Sequence, residues 1–247
     1  MSKVMLALLV LCASCAAQSP VMPFPFVPQA TGGGGATYTF VNYTFVDEVA
    51  GGGTITSPAL SVTAGDFVYQ YCRTFGAVAS FTFTSSPSST WNTLTPQATG
   101  GGPGTLQGAW SRMTSTGSTT FSCATGAGTF SSLVVLHYTV AGSPSFDVQT
   151  GSYQATAASQ WTSPAFSTGA SAELVIVCAG ASGSGAAWTA GTIGASSATL
   201  RGVSGATLTT ATDSGCEDFI FSSTQTSITG QIGAGFQSFA GTAAGFK

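Results

Sequence analysis

A chain of 247 residues is long enough for one large β domain or two small ones. Only 5% of its residues are charged, against roughly 25% in ordinary globular proteins, while 43% are hydrophobic and 11% aromatic. That balance excludes charge-driven disorder, and five Lys and Arg against eight acids exclude the phosphate-tracking groove that nucleic acid requires.

Residues 1–17, MSKVMLALLVLCASCAA, combine one lysine, an apolar run from Val4 to Leu11 and a small-residue ending. This is the pattern of a secretory signal peptide, and its apolar run is too short to span a bilayer. Cleavage is expected after Ala17, giving a secreted, extracellular chain. The rival is a lipid anchor on Cys15, although Cys12 stands where such signals carry leucine. No later stretch reads as a transmembrane helix. Residues 18–36 form a spacer, made helix-incompatible by Pro20, Pro23, Pro25 and Pro28 and flexible by Gly32 to Gly35. One β-sandwich domain is expected over residues 37–247.

Thr37 to Val46, TYTFVNYTFV, sets Tyr38 and Phe40 on one strand face and Tyr43 and Phe45 on the other parity. A bulge or turn near Asn42 restores a common face. Asn42-Tyr43-Thr44 is also a glycosylation sequon. Beyond it, short β-rich runs alternate with Gly, Pro, Ser and Thr breaks. Strands are expected near 55–63, 66–73, 79–84, 91–95, 106–114, 118–124 and 131–140. A second set is expected near 161–168, 173–180, 187–193, 198–203, 216–222, 226–232 and 236–245. Phe67 to Tyr71, Leu133 to Tyr138 and Leu174 to Val177 are apolar on both parities, as in strands covered on both sides. No long stretch carries helical periodicity with caps. The fold class is all-β.

Thr56 to Cys72, TSPALSVTAGDFVYQYC, has a counterpart in Thr162 to Cys178, TSPAFSTGASAELVIVC. A period near 106 residues is too long for a solenoid and reads as a duplicated β unit, with quasi-repeats over about 54–155 and 160–247. Farther on, Ala109 to Arg112 corresponds to Glu217 to Ile220, and Ser131 to Tyr138 to the C-terminal Gln237 to Phe246. Within the repeat, aligning Asp66 with Glu173 needs one inserted residue, which puts Cys72 out of step with Cys178.

Three stretches carry a resemblance: Ala64-Gly-Asp-Phe-Val68, Leu133-Val-Val-Leu-His-Tyr-Thr139 with Ser143-Pro-Ser-Phe-Asp147, and Cys216-Glu-Asp-Phe219. Together they resemble a family of secreted bacterial proteins with no established activity. In that family the second motif more often reads Leu-Glu-Tyr-Ser-Gly, so His137 replaces an acid. The resemblance spans roughly residues 54–247 and implies a jelly-roll-like two-sheet sandwich, with no chemistry attached.

Four cysteines remain after leader cleavage: Cys72, Cys123, Cys178 and Cys216. An even count in an exported chain reads as two disulfides. Of the three connectivities, one bridge per half is favoured, Cys72–Cys123 and Cys178–Cys216. A zinc site lacks both CxxC spacing and histidines, since His137 stands alone, and no dense Asp/Asn loop offers calcium a home. No metal and no cofactor are expected.

Chemistry is scarce. A Ser-His-Asp triad would need His137 with Asp147, but no G-x-S-x-G elbow is present and His137 lies in an apolar strand. Glu217 and Asp218 are adjacent in a strand and so point to opposite faces, with Glu173 or Asp213 as conceivable partners. The simpler assignment has Asp66 and Glu173 ending turns, and Glu217 or Asp218 pairing with Arg112 or Arg201. Thr-x-Thr pairs at 37/39, 82/84 and 93/95 fall short of an ice-binding array. Tryptophans are the better lead, because indole faces stack on sugars. Trp91, Trp110, Trp161 and Trp188 are the candidates, and Trp91 and Trp188 are singled out as ligand-binding because both sit at loop-to-strand transitions. Plugging the sandwich ends is their alternative role. The expected function is a non-catalytic surface, adhesion or weak glycan-binding module, its partner a glycan or cell-surface polymer. The second reading is a jelly-roll carbohydrate hydrolase or lyase.

Overall fold

The computed structural model describes residues 35–51, 53–75, 81–97, 104–126, 130–182, 187–204 and 213–247. The leader, Cys15, the spacer up to residue 34 and the Gly183-Ser184-Gly185 loop lie outside them. Among the described residues every regular element is a strand. The first half holds β1 (Thr37–Ala50), β2 (Thr54–Thr56), β3 (Leu60–Val62), β4 (Phe67–Phe75), β5 (Thr82–Ser86), β6 (Asn92–Thr93), β7 (Thr105–Arg112), β8 (Gly117–Ala124) and β9 (Phe130–Ala141). The second holds β10 (Phe146–Thr162), β11 (Glu173–Ser182), β12 (Thr189–Ile193), β13 (Ser196–Ser197), β14 (Thr199–Ser204), β15 (Asp213–Phe221) and β16 (Gly230–Phe246).

Two main antiparallel sheets share one strand order. The first runs β1-β9-β4-β7-β6, and the second contains β10-β16-β11-β15-β14 in the same sense. Registers match as well. Tyr69 sits opposite Trp110 as Ile176 sits opposite Asp218, and Phe67 opposite Tyr138 as Leu174 opposite Phe246. The duplication therefore extends over whole sheets. On the outside of the first sheet, β2 and β3 flank β8, which also pairs with β5. In the second half this layer is continuous with the main sheet, because β16 runs from one layer into the other and bonds β12 near its start. Where 226–232 and 236–245 were expected as separate strands, β16 spans both from Gly230 onward.

The strands fold this way because β4 and β11 are apolar on both faces and each face needs a cover. A central core between the main sheets takes Phe67, Tyr69, Tyr71, Leu136 and Tyr138 from the first half and Leu174, Ile176, Ala244 and Phe246 from the second. The opposite faces carry Val68, Cys72 and Val135 into a core beneath β2, β3, β5 and β8, and Val175, Val177 and Ala179 into a core with Trp161, Trp188 and Ile232. The result is an all-β, sandwich-like fold. The central layer is also tied by polar groups. Arg73, fully buried, donates to the Ala181 carbonyl at 2.9 Å, and the Ser132 and Ser214 hydroxyls meet at 2.9 Å. Arg73 fits only because Gly180 faces it: a Cβ there would lie 2.2 Å from Arg73 Cδ.

One inserted residue breaks the repeat. Ser57 and Ser163 each donate a hydroxyl to the next residue's carbonyl and accept an amide, from Phe121 and Gly230 respectively. They are 106 positions apart. Farther on, Asp66 accepts the Thr63 amide and Glu173 the Ala170 amide. Each acid follows a left-handed residue, Gly65 at φ 98° and Ala172 at φ 62°. These turns are 107 apart, so the strands that follow are shifted by one residue and strand parity reverses. Tyr71, not Cys72, is the counterpart of Cys178. Cys72 consequently faces the outer core and bridges to Cys123 on β8, whereas Cys178 faces the central core and bridges to Cys216, its directly opposed neighbour on β15.

A bulge falls between Phe40 and Asn42, where the β1–β9 register shifts and leaves Val41 unpaired. Tyr43 is thereby paired with Leu136, on the same side as Phe40. β10 is a long strand that the sequence pattern does not predict before residue 161. Its sequence is mostly polar and its side chains are half-buried, because it is an edge strand bonded only to β16. Since each half supplies one wall of the central core, residues 37–141, β1 through β9, expressed alone should be insoluble or unfolded, as judged by circular dichroism and melting. A soluble, cooperatively melting half would mean that the central core is dispensable.

Candidate functional site: two equivalent junctions, one sealed and one open

Two parallel edges must be closed where the main sheets face each other. At one edge β1 lies against β14; at the other, β10 faces β6 across a groove. The repeat makes these junctions equivalent. Phe40 opposite Tyr138 corresponds to Phe146 opposite Phe246, and Asn92 opposite Trp110 corresponds to Thr199 opposite Asp218.

The β1–β14 junction is sealed. Arg201 sits 4.5 Å over the Phe40 ring and donates to Asp218 Oδ1 at 2.8 Å. The Tyr138 hydroxyl donates to the other carboxylate oxygen at 2.7 Å. Burial pushes the Asp218 carboxyl up, and Arg201 and Tyr138 pull against it. Arg201 has its place because of a β-bulge: the β14–β15 register shifts between Leu200 and Gly202 and leaves Arg201 as the extra residue.

The β10–β6 junction is open. A groove of about 680 Å³ is lined by Asn92, Thr93, Leu94, Thr95 and Gln97, by Trp110, and by Phe146 to Gln149. Phe146 is 41% exposed and Trp110 half-buried, and both rings stand edgewise on Phe246. Gln149 clasps the groove by imitating a strand: its amide accepts from Thr95 N and donates to Thr95 O, each at 2.8 Å. At the far wall Asp147 accepts the Gly169 amide at 2.6 Å and is paired with Lys247. Burial acts upward on Asp147, but Lys247 and the Gly169 amide hold its carboxyl below the ordinary range. Behind it, fully buried Glu173 is pushed up to about 7, by burial first and by the Asp147 charge second. Glu173 Oε2 accepts the Ala170 amide, and its Oε1 is buried without a hydrogen-bond partner.

The residues named from sequence are scattered. Trp188 is only 7% exposed, lies over Gly215 and packs edge-on to Phe239. It is a core plug, and burial of its indole corrects its assignment as a ligand platform. Trp91 is half-buried against the outer core and edge-on to Phe121, with its Nε1 enclosed. Trp161 is fully buried and donates to Ser152 O. Of the four, Trp110 alone lines the groove. His137 is 2% exposed, its Nε2 2.7 Å from Asp66 and its Nδ1 2.9 Å from Asn42. Both ring nitrogens are engaged, and Asp147 belongs to the groove, so these residues form no triad.

Glu217 and Asp218 do point to opposite faces. Asp218 takes Arg201, while Glu217 enters the outer core and accepts the Gly191 amide at 2.7 Å. Arg112 instead donates to the Gly65 carbonyl. The side chain of Asp213 lies outside the described ones. Phe146 and Gln149 were missed because β10 does not look like a strand, although the Ser143-Pro-Ser-Phe-Asp147 motif runs straight into it. Among the described residues no cluster of three His, Cys, Asp or Glu forms a metal site, and no helix is long and apolar enough to cross a membrane. No family model, curated protein or solved structure matches the chain.

Removing the seal should be costly. Arg201→Ala leaves Asp218 buried and uncompensated, and should lower unfolding free energy by about 3–5 kcal/mol in urea titrations.

Stability should also depend on pH. Burial pushes Glu217 up to about 8 and Glu173 to about 7, from 4.5. The folded chain thus keeps protons that the unfolded chain releases near 4.5, and stability falls as pH rises through that window. Melting temperature should drop between about pH 5 and pH 8.5, and Glu217→Gln should flatten the slope. A melting temperature that rises with pH would contradict this assignment.

Proposed function

We propose that this is an exported, non-catalytic binding module that holds an uncharged glycan, or a similar cell-surface polymer, between β6, β7 and β10. One observation carries the reading. Of two equivalent junctions, one is filled by its own side chains, while the other leaves about 680 Å³ lined by an indole, an exposed phenyl ring and side-chain amides. That volume lies within the range of small-molecule sites, roughly 300–1,000 Å³. Flat aromatic faces suit the C–H faces of sugar rings, and amides suit their hydroxyls.

The groove carries little free charge, because Asp147 is already paired with Lys247. Recognition then rests on stacking and neutral hydrogen bonds, and affinity per site is modest unless many copies act together. Glycoside hydrolysis needs two carboxyls about 5–9.5 Å apart across a substrate. Here Glu173 is fully buried and Asp147 is paired with Lys247, which favours binding over hydrolysis. Export through the leader, with cleavage after Ala17, belongs to the same proposal, and two disulfides fit an oxidising compartment.

The test is retention of the chain on insoluble cellulose, chitin and β-1,3-glucan at low and high salt. Retention on at least one should survive high salt and fall roughly tenfold, about 1.4 kcal/mol, in Phe146→Ala. Trp91→Ala should bind as wild type. Salt-labile retention, or depolymerisation of any of the three, would overturn the proposal.

A further inference from the structure

The two junctions differ residue by residue, and the differences have one direction. Phe40 is retained as Phe146, so the ring that carries the Arg201 guanidinium is present on both sides. The carboxylate that pairs with the guanidinium, and the hydroxyl that supports that carboxylate, are replaced. Asp218 becomes Trp110, and Tyr138, whose hydroxyl completes the carboxylate, becomes Phe246. Arg201 itself has no counterpart. It is the extra residue of a bulge, whereas on the open side Thr93 pairs with Ala109 and Leu94 with Gly108 without interruption. Loss of one residue empties the place, one substitution puts an indole where the carboxylate was, and the other removes a hydroxyl.

We propose that this place, over Phe146 and beside Trp110, is the primary subsite of the groove and takes a single neutral ring of pyranose size. The inference rests on reading the groove as a glycan site and adds the position and character of the unit held. A cation is disfavoured there. The carboxylate that would face it has become an indole, and the neighbouring Asp147 is committed to Lys247 and the Gly169 amide. A neutral ring meets an exposed phenyl face and an indole, with the Asn92 amide at the rim for its hydroxyls. Aromatic walls without a free charge select against carboxylate sugars by desolvation, and an ammonium sugar would lack the carboxylate that holds Arg201 at the sealed junction.

The experiment rebuilds the seal. An arginine inserted between Thr93 and Leu94, combined with Trp110→Asp, restores the ion pair of the other junction. Phe146→Ala, at an exposed position, is the second variant should the first not fold, and melting curves accompany both. Binding of cellohexaose, laminarihexaose and maltohexaose is measured by calorimetry beside the fully deacetylated, cationic glucosamine hexamer. At least one neutral hexamer should bind wild type, bind Phe146→Ala about tenfold more weakly and fail to bind the folded resealed chain. A neutral hexamer that both folded variants bind as wild type does would sink the subsite and leave the glycan reading standing. Preference for the cationic hexamer would overturn the neutral-ring claim, and binding of none of the four would remove the glycan reading and the subsite together.

Discussion

The fold depends on the mutual burial of two sheet faces. β4 and β11 are apolar on both sides, so an outer layer satisfies one face of each and leaves the other exposed. Each sheet closes on its repeat, with Tyr, Phe and Leu side chains of one half packed against Leu, Ile, Ala and Phe of the other. The chain has few charges to place and spends several of them inside this layer. Arg73 reaches across to the Ala181 carbonyl, and Arg201 and Asp218 close one edge. Buried charges of this kind lend little net stability, but each is costly to leave alone. They act as pegs that fix how the two sheets meet.

Within that frame the repeat is broken twice by a single residue. The first insertion lies between Ser163 and Glu173 and reverses the parity of β11 relative to β4. One disulfide therefore joins a main sheet to its outer layer, and the other joins two neighbours within a sheet. The second is the bulge at Arg201. It lets one arginine reach over Phe40, and its absence on the other side leaves Phe146 uncovered. In a repeat where strands alternate faces, one added residue changes what every following side chain meets. The groove is thus a difference between halves that are otherwise alike.

The legible parts of the sequence were those decided locally or by repetition. Two-sided apolar runs marked β4, β9 and β11, and the TSPA repeats marked the halves. Alternation placed Glu217 and Asp218 on opposite faces, and the reversed aromatic parity around Asn42 marked the bulge in β1. The repeat allowed two alignments, one matching Cys72 to Cys178 and one matching Asp66 to Glu173 with an inserted residue, and only the strand registers decided for the second. β10 was not legible, because an edge strand bonded to one neighbour has no need of an apolar face. Trp91 and Trp188 stood out by their loop-edge positions, but burial of an indole depends on what packs over it, here Phe121 for one and Gly215 and Phe239 for the other.

Taken alone, then, the sequence determined the strand class and the duplication, because periodicity, composition and repetition are properties of the chain itself. Only the tertiary structure decided that the equivalent edges are closed differently, and that Phe146, Trp110 and Asp147 share one groove. Trp110 lies on β7 and the other two on β10, with two strands between them in the chain. Their meeting depends on which sheet faces which, a relation that no local pattern encodes.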